Sequence, residues 1–505
     1  MRVLLVEPRN CWTGLNIALG YLTASLKKAG HEVKVLDLTN HRDWPVERME
    51  RAIIESFNPD LIGIALFYIS YHGVKEMIAR IKSCRTTPIL VGGPQMVIEK
   101  EEIMRDIPQL DFALMGDGEE ALVELCAALE GKTDLGGIDG LIHRSNGRVI
   151  RNRDRLINKD VDSYLFPDYG PFGIERISRY TLITSRGCPH HCTYCFRSTP
   201  RWRPRSPENI VQELDHAISN YRIDEFVIVD DAFNILPERI IAFCDMLEKS
   251  GIKMPWSCSG VRADRMTEEL AARMRQAGCY SINIGIETLQ PDLYDALNRG
   301  MTIDDLKRSI DLIKKYNFNT VAYFMIGLPG DTPEKTWDTY RKAKTLGIDY
   351  QSYSILLPFP DTRMHDIVYS MEGVRKLADY RTISTIWTFD PVFSRMKTAF
   401  DTPEYPAESK IEMYNKIRTL EGDPRPPYHK SIFLFALHAF WWVVKYETSS
   451  RIPATLFRLT RSFVSRLART GGKSVSLTNN TYKESFLQEM QKLVETGNNG
   501  AGCAE

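Results

Sequence analysis

The sequence predicts an α/β protein in which two parallel-sheet domains are followed by a mainly helical C-terminal region. Short apolar runs alternate with helical stretches over the first 130 residues, and the alternation resumes after residue 177 with a period of roughly 30 residues. A chain of 505 residues is also too long for a single hydrophobic core. The predicted divisions are a domain at 1–135, a linker at 136–176, a second domain at 177–372 and a third region at 373–505.

The first domain is predicted to be a doubly wound, Rossmann-like sheet. Its strands are the apolar runs Arg2–Glu7, Glu32–Leu38, Leu61–Phe67, Ile89–Val91 and Phe112–Met115. Ligands of such sheets bind beyond the carboxyl ends of the strands, where glycines let a ligand approach the backbone closely. The candidate binding residues at these ends are Gly92, Gly93, Gly116, Gly118 and Glu119.

The second domain is predicted to be a partial (β/α)6 barrel of the TIM type, open on one side. Its six strands are Thr181–Thr184, Glu225–Val229, Trp256–Ser259, Ser281–Ile284, Thr320–Ile326 and Gln351–Leu356. The active-site groups of such barrels lie at the carboxyl ends of the strands. The linker before it carries turn signals and a candidate hairpin at Ile142–His143 and Arg148–Arg151, and no chemistry is expected there.

Three cysteines after the first barrel strand carry the strongest chemical signal. Cys188, Cys192 and Cys195 are spaced C-x3-C-x2-C, and thiolates are soft ligands that select iron–sulfur clusters, zinc or copper(I). A structural zinc site needs four ligands, and the sequence holds no second closely spaced cysteine pair. His190 or His191 could be a fourth ligand only by folding back onto its own loop. Three thiolates on a [4Fe–4S] cluster leave one iron open, which is a catalytic position.

Residues 184–196, TSRGCPHHCTYCF, resemble the radical SAM superfamily, whose hallmark is C-x3-C-x-aromatic-C, and Tyr194 occupies the aromatic position. The resemblance implies that the open iron binds S-adenosylmethionine through its amino and carboxylate groups. It also implies that one electron from the cluster cleaves S-adenosylmethionine to a 5′-deoxyadenosyl radical, which abstracts hydrogen from an unactivated carbon. The alternative is a set of structural thiols or a zinc knuckle.

The same resemblance assigns S-adenosylmethionine contacts to the ends of the later strands. Asp230-Asp231 is similar to the segment that meets the amino group, and Arg262 is suited to hold the methionyl carboxylate with two parallel hydrogen bonds. The phrase GIET matches a motif near the ribose or methionine, and GLPG lets the backbone approach adenine. Asp231 could instead cap the following helix. The residues assigned in this way are Tyr194, Asp230, Asp231, Ser259, Arg262, Glu287, Gly327 and Pro329.

The first domain resembles the cobalamin-binding domain that precedes many radical SAM modules, through the phrases GLNIALGYLTASLKKAGHEVKVLD, VGGP and GDGEE. It departs from the D-x-H-x-x-G motif of domains that supply a histidine to cobalt, because the loop Glu7–Gly14 contains no histidine. The resemblance therefore implies methylcobalamin without a histidine lower ligand, with Arg9, Asn10 and Trp12 near that face. The alternative is that the domain keeps the fold and has lost the cofactor.

Together these resemblances imply a cobalamin-dependent radical SAM C-methyltransferase. One S-adenosylmethionine would methylate cobalamin, and cleavage of a second would let the substrate carbon collect the methyl group. A cyclase, an oxidoreductase or a carbon–carbon coupling enzyme, with cobalamin in another role or absent, shares all of these motifs. A non-enzymatic sensor is disfavoured, because it would not need them. The expected partners are a small-molecule substrate and a flavodoxin- or ferredoxin-type electron donor.

The region 373–505 resembles no known family and is expected to cap the substrate. Between Arg425 and Lys473 there are nine Lys/Arg and one acidic residue, beside an apolar run at Ser431–Val444 that is shorter than the ~18–20 residues of a membrane span. This predicts peripheral membrane contact through residues 430–470, and a lipid such as a hopanoid or isoprenoid, or else a tetrapyrrole, as substrate. A core helix or a dimer interface is the alternative. Residues beyond 471 are predicted to be disordered.

The amino-acid composition limits which other classes of protein, and which cellular location, fit the chain. Lys+Arg and Asp+Glu are balanced at 65 each, so no general attraction to nucleic acid is expected. Ten cysteines are too few and too scattered for a disulfide scaffold, and the first ten residues are interpreted as a strand and not as a signal peptide. A reducing, cytoplasmic location is therefore expected.

Overall fold

The computed structural model describes residues 1–9, 14–41, 46–196, 199, 201–383, 398–421 and 480–496. The chain divides into two compact units. The first comprises Met1–Tyr180, His216–Ile223 and Thr478–Glu505, and the second comprises Thr181–Asp215 and Asp224–Leu477. The expected cofactor contacts at Asn10 and Trp12 and the expected membrane contact at 430–470 lie outside the described residues.

The first unit contains seven strands and six helices of the N-terminal part of the chain. The strands are β1 (Arg2–Glu7), β2 (Glu32–Asp37), β3 (Leu61–Ala65), β4 (Ile89–Gly92), β5 (Phe112–Leu114), β6 (Leu141–Ser145) and β7 (Arg148–Arg151). The helices are α1 (Ile17–Lys28), α2 (Val46–Phe57), α3 (Tyr71–Cys84), α4 (Met96–Glu99), α5 (Glu102–Asp106) and α6 (Gly118–Leu129).

These strands form one sheet in the order β2-β1-β3-β4-β5-β6-β7. Strands β1 to β5 pair in parallel, and β3 is buried along its whole length, as expected of a strand with both faces covered. The connecting helices bury one face each. Helix α1 begins after Asn16, whose side chain accepts a hydrogen bond from the backbone N–H of Leu19. The doubly wound sheet that the sequence predicts is confirmed.

The segment predicted as a linker contributes the antiparallel edge of this sheet. Strand β6 pairs with β5, with Phe112 opposite His143, and β7 pairs with β6, with Ile142 opposite Arg151. The hairpin expected from the turn signal at Asn146-Gly147 therefore forms and extends the first sheet. Asn146 has a φ of 49° and Gly147 a φ of 76°, the left-handed backbone that tight hairpin turns require.

The second unit carries the remaining strands and helices up to residue 420. The main strands are β8 (Ile174–Leu182, which begins in the first unit), β11 (Ile223–Ile228), β12 (Trp256–Val261), β13 (Cys279–Glu287), β14 (Asn319–Ile326) and β15 (Tyr350–Ile355), and the short ones are β9 (Ser185–Arg186), β10 (Arg203–Pro204), β16 (Arg375–Lys376) and β17 (Phe400–Asp401). The helices are α7 (Pro207–Tyr221, whose part from His216 onward belongs to the first unit), α8 (Pro237–Ser250), α9 (Glu268–Gln276), α10 (Pro291–Ala296), α11 (Ile303–Lys315), α12 (Pro333–Thr345), α13 (Arg363–Ser370), α14 (Tyr380–Ile383) and α15 (Ala407–Leu420).

The main strands of the second unit follow the order β15-β14-β13-β12-β11-β8. Strands β11 to β15 pair in parallel, each with the next along the chain, which is the arrangement of successive βα units. Within the described part of the chain this sheet ends at β15 and does not close. The partial barrel predicted from the sequence is confirmed, and its strand ends are the places at which active-site groups are expected.

Residues 480–496 return to the first unit, although the sequence predicts disorder there. They form β18 (Thr481–Tyr482), which pairs antiparallel with β8, and α16 (Glu484–Thr496). Met490 is 2% exposed and joins the core that contains Ile53 of α2, and Phe486 packs against the same core. The prediction is wrong for these residues because their apolar side chains repeat at helical spacing within a segment of polar composition.

Among the described residues, no helix combines the length and the apolar character needed to cross a bilayer.

Candidate functional site

The thiol loop, residues 187–196, emerges from the end of the first strand of the second unit. The hairpin of β9 and β10 closes its base, with Arg186 opposite Arg203. Gly187 has a φ of 80°, and a side chain there would collide with the backbone carbonyl of Arg201, so only glycine fits. The loop carries Cys188, Cys192 and Cys195 as free thiols. The close approach of the Arg201 carbonyl to Gly187 therefore explains why a glycine precedes the first thiol.

The three thiols differ in exposure. Cys195 is exposed, whereas Cys188 and Cys192 are half-buried. Burial, with a smaller contribution from Cys192, raises the pKa of the Cys188 thiol. The backbone N–H of Cys195 donates to the carbonyl of Cys192 at 3.3 Å, which turns the chain between the last two thiols. Cys192 and Cys195 therefore lie at the two ends of one backbone turn.

The side chains of the loop match a [4Fe–4S] cluster in their chemistry, but they are not gathered around one point. Within the described ranges, no group of three or more His, Cys, Asp or Glu side chains comes together closely enough to hold a metal ion. The loop nevertheless presents three thiols of one kind on eight residues, which is the chemistry of an iron–sulfur cluster and not of a hard-cation site. Burial lowers the pKa of His190 to about 4, so its imidazole is neutral. The residues fit a [4Fe–4S] cluster chemically.

Asp230 follows β11 and connects that strand to the base of the thiol loop. Its carboxylate accepts hydrogen bonds from the backbone N–H of Thr184 at 2.6 Å, from the Thr184 hydroxyl at 2.5 Å and from the Ser185 hydroxyl at 2.6 Å. Burial raises the pKa of Asp230, and these hydrogen bonds act in the opposite direction. The side chain is 4% exposed, so it faces the protein interior. Asp230 therefore holds the two residues from which the loop departs.

Asp231, its neighbour, points the other way. Its side chain is exposed, yet desolvation by the surrounding protein, followed by the charge of Asp230, raises its pKa. The alternative role as a helix cap is wrong, because α8 begins at Pro237 and its N-cap is Leu236. Asp231 therefore follows β11 as a solvent-exposed carboxylate beside the buried Asp230.

Ser259 and Arg262 lie at the end of β12, and both use their donors within the protein. The Ser259 hydroxyl donates to the carbonyl of Ile228 at 3.1 Å. The Arg262 guanidinium donates to Asp264 at 2.9 Å and, through both terminal nitrogens, to the carbonyl of Arg299 at 3.1 Å. Arg262 is only 7% exposed. A ligand carboxylate at this position would have to share these donors with the protein.

Glu287 ends β13 and joins the thiol loop through Tyr194. One carboxylate oxygen accepts hydrogen bonds from the Tyr194 hydroxyl at 2.9 Å and from the Arg299 guanidinium at 2.8 Å. Glu287 has a φ of 69°, an unusual value for a residue with a side chain. Burial, then the negative charge of Glu287, raises the pKa of Tyr194. The three side chains form a buried network at the centre of the strand ends.

Gly327 and Pro329 form the turn after β14. The backbone N–H of Gly327 donates to the carboxylate of Asp331 at 2.8 Å, and the aliphatic stem of Lys410 packs against the Gly327 backbone. Burial raises the pKa of Asp331 to about 6. Gly327 is buried and Pro329 is half-buried, so the turn is held from behind by two side chains that the sequence motif does not include.

The strand ends of the first unit border open space with backbone. Gly93 and Gly116 are exposed, and a side chain added at Gly116 would meet nothing within 4 Å. Gly92, at the end of β4, has only one atom at 4.0 Å from the same position. Gly118 begins α6, and Glu119 is buried in its first turn. A side chain at Gly93 would instead meet the backbone of Leu66, so the open backbone lies at Gly92 and Gly116, where it fits a large cofactor that approaches the sheet edge closely.

The loop that is expected to face the lower side of that cofactor forms a hydrogen bond at each of its ends with a residue that follows β2. The Thr39 hydroxyl donates to the carbonyl of Pro8 at 2.9 Å, and the Asn40 amide donates to the carbonyl of Gly14 at 2.9 Å. Asp37 in turn accepts hydrogen bonds from the backbone N–H groups of Thr39 and Asn40. Arg9 lies just inside the first end and is half-buried.

Several of these supporting residues escape sequence reasoning. Thr39, Asn40 and Lys410 lie in no motif, and only the three-dimensional structure brings them to the strand ends, whereas Asp331 follows GLPG directly in the sequence. Arg299 is different, because Asn298-Arg299-Gly300 carries a turn signal that could have drawn notice to it.

Comparison with known proteins gives two family models that match the chain. The model of the B12 binding domain matches residues 1–126, and that of the Radical SAM superfamily matches residues 182–343. An uncharacterized methyltransferase of Pyrococcus horikoshii is 30% identical over 396 residues, covering 75% of this chain and 83% of that protein. An anaerobic magnesium-protoporphyrin IX monomethyl ester cyclase of Rubrivivax gelatinosus is 25% identical over 384 residues, covering 71% of this chain and 68% of that protein.

Among solved structures, the chain is similar to TsrM from Kitasatospora setae, a radical S-adenosylmethionine methyltransferase with cobalamin and a [4Fe–4S] cluster bound. The TM-score is 0.64 at 21% sequence identity, over 75% of this chain and 81% of that one. At this identity the likeness shows a shared fold.

Proposed function

Because the chain belongs to the radical SAM superfamily and carries a B12-binding domain, we propose that it transfers a methyl group to an unactivated carbon of a small-molecule substrate. It is a radical SAM enzyme of the cobalamin-dependent methyltransferase family, and its cofactors are a [4Fe–4S] cluster, S-adenosylmethionine and cobalamin. The observation that carries the proposal is that one chain presents a three-thiol loop at the strand ends of one sheet and bare glycine backbone at the strand ends of another.

In this proposal Cys188, Cys192 and Cys195 bind the cluster, and the ends of β4 and β5 hold cobalamin. When bound, the cofactors supply one-electron chemistry and a transferable methyl group. The chain's own residues orient and shield them. Asp230 holds the base of the thiol loop through Thr184 and Ser185, and the exposed Asp231 faces the amino group of S-adenosylmethionine. Precise holding matters because small misplacements of reacting groups cost large factors in rate.

In the same proposal, the hydrogen-bond network of Tyr194, Glu287 and Arg299 positions the thiol loop relative to β13. Tyr194 belongs to the loop and Glu287 to β13, so their hydrogen bond couples the position of the thiols to the strand end. Arg262 reaches the same region, where its guanidinium donors would be shared between the carbonyl of Arg299 and a ligand carboxylate. These contacts would keep the loop, the methionyl group and the ribose in one arrangement while water is excluded.

The substrate that we propose is an apolar small molecule, either a lipid such as a hopanoid or isoprenoid or a tetrapyrrole. The basic and apolar sequence at 430–470 supports a membrane-associated substrate, since such segments lie on anionic surfaces. The name of the Rubrivivax relative supports a tetrapyrrole. An electron donor of the flavodoxin or ferredoxin type would reduce the cluster.

A second candidate function is oxidative cyclisation or carbon–carbon coupling. The Rubrivivax relative is named as a cyclase and matches most of both chains, so the same parts serve a reaction other than methylation in that protein. The two functions differ in what happens to the methyl group and not in how the radical chemistry begins.

The first test is an anaerobic preparation reconstituted with iron, sulfide and cobalamin, in which all three are measured per chain. About four irons and about one corrinoid are expected. The loaded protein is then given S-adenosylmethionine with a trideuterated methyl group, a chemical reductant and lipid or tetrapyrrole extracts. A product that carries the intact labelled methyl group supports methyl transfer.

Two other outcomes would change the conclusion. Cleavage of S-adenosylmethionine with an unlabelled, dehydrogenated or cyclised product would replace methyl transfer by the second candidate function. Four irons without corrinoid would remove the methyl carrier and overturn the proposal.

A further inference from the structure

The end of α10 and the residues that follow it, Ala296–Asn298, form hydrogen bonds with the thiol loop at His191 and Thr193. The backbone N–H of Thr193 donates to the carbonyl of Leu297 at 3.0 Å, and the Thr193 hydroxyl donates to the carbonyl of Ala296 at 3.3 Å. The side-chain amide of Asn298 donates to the carbonyl of His191 at 3.0 Å. All of these partners lie in the second unit, about a hundred positions apart in sequence.

Arg299 extends these contacts to both neighbouring strand ends. Its guanidinium donates to Glu287, which also accepts the Tyr194 hydroxyl, and its carbonyl accepts both terminal nitrogens of Arg262. Arg299 is 9% exposed, and its Nε is buried without a hydrogen-bond partner. The neighbours Tyr194 and Glu287 raise the pKa of Arg299 despite its burial, so it stays charged. One residue therefore connects the ends of β12 and β13 to the loop.

The backbone of this segment is set locally and does not depend on a bound cofactor. Asn298 has a φ of 51° and Gly300 a φ of 66°, so two left-handed residues flank Arg299 where α10 ends. Asparagine is among the few residues with a side chain that adopt this conformation readily. The turn aims the Asn298 amide at His191 while the backbone carbonyls of the last helical residues face Thr193.

Other contacts also reach the thiol loop. The backbone N–H of Cys188 donates to the carbonyl of Thr199 at 3.4 Å, and the backbone N–H of Met364, in α13, donates to the carbonyl of Thr193 at 2.8 Å. A loop that must bring three thiols to one cluster pays an ordering cost on binding, and external contacts that order it beforehand reduce that cost. The Ala296–Arg299 segment supplies such contacts.

We propose that Ala296–Arg299 is a positioning element of the thiol loop, with Asn298 as its separable side-chain contact, so that the loop is ordered before any cofactor binds. The inference rests on the proposed function only for the identity of the loop's ligand. The ordering itself is a property of the protein without its cofactors.

The test compares Asn298→Gly with Asn317→Gly in the full chain prepared without iron or cobalamin. Glycine keeps the left-handed backbone at both sites and removes only the side chain. Asn317 has a φ of 56°, is exposed and follows α11, away from the loop, so it is the matched control. Hydrogen–deuterium exchange of the peptide that covers 188–196 is the readout, together with iron retained after reconstitution and desalting.

Loop exchange is expected to be about fivefold faster in Asn298→Gly, the factor that corresponds to loss of one ordinary hydrogen bond, and unchanged in Asn317→Gly. Asn298→Asp, which keeps the shape but cannot donate, is expected to behave like Asn298→Gly. Retained iron is expected to fall in both Asn298 variants. Equal exchange in wild type and Asn298→Gly, or equal acceleration in Asn317→Gly, would overturn the proposal. If methyl transfer is never found but Asn298→Gly loosens the loop, the proposed function fails and this inference stands.

Discussion

Cys192 is the middle thiol of the loop, and cluster binding is expected to require it. Cys192→Ala leaves two thiolates, which are too few to hold a [4Fe–4S] cluster with one open iron. We expect loss of the cluster's visible absorbance and of all S-adenosylmethionine cleavage in the reconstituted protein. Cys84→Ala, at an exposed thiol on α3, is the control and should keep both signals. Retained cleavage in Cys192→Ala would contradict the assignment of the cluster.

Lys410 is a charge held in an apolar site behind the turn at Gly327. Its side chain is fully buried, its Nζ lies 3.8 Å from the centre of the Phe400 ring, and it donates to the Phe400 carbonyl at 3.3 Å. Burial lowers the pKa of Lys410 from 10.5 to about 8. The folded protein therefore binds fewer protons than the unfolded chain between these two pH values. Its stability gains a contribution as pH rises through this window.

Lys410→Met is expected to remove that pH dependence. The wild type carries a cost of about 3 kcal/mol near neutral pH, which fades towards pH 10.5. The melting temperature of the variant relative to wild type should therefore be most favourable at about pH 7 and decline at about pH 10. Thermal melts at both pH values measure this, with Lys416→Met, an exposed lysine on the same helix, as control. A difference that does not change with pH would contradict the depressed pKa.

Single residues also show where sequence reasoning stops. The motifs single out Asp230 and Arg262. They do not reveal that the Asp230 carboxylate accepts hydrogen bonds from Thr184 and Ser185, or that Arg262 donates to the carbonyl of Arg299. A motif names a residue at a strand end. Which of its atoms remain available to a ligand depends on neighbours brought in from elsewhere in the chain, and no local pattern records these.

At the scale of elements, strands β1 to β5 and β11 to β15 were predictable because each has apolar residues between turn signals. Strand β8 was predicted at Thr181–Thr184 but spans Ile174–Leu182. Strand β18 and helix α16 were missed, because their segment is polar overall and its apolar positions are few. The β6–β7 hairpin was predicted, but its pairing with β5 was not, because the turn signal does not specify which sheet edge the hairpin joins.

Met490 tests whether α16 belongs to the first unit. Met490→Ala removes a buried side chain from the core that includes Ile53 and Phe57, and it should destabilise this unit by about 2–5 kcal/mol. Gln488→Ala, at an exposed position of the same helix, should change stability by less than about 0.5 kcal/mol. Thermal melts of both variants, followed by hydrogen exchange of α2 peptides, measure the effect. Similar melts for both variants would mean that α16 is not packed as described.

For the whole molecule, the first unit is discontinuous, because residues 480–496 complete a unit that begins at residue 1. A chain that stops at residue 479 should expose the α2 face that Met490 and Phe486 cover. We expect it to lose more cobalamin on desalting than the full chain, while its cluster content is unchanged. A chain that stops at residue 496 keeps α16 and is the control. Equal cobalamin retention by the two truncated chains would contradict a role for α16 in this unit.

This discontinuity has a consequence for biosynthesis. Helix α16 leaves the ribosome only after every residue of the second unit has been translated. Until then the first unit lacks the helix that packs against α2. During that interval the α2 face around Ile53 is open to chaperones and to premature association. Chains interrupted before residue 484 therefore carry a first unit that lacks α16 and leaves the apolar α2 face uncovered.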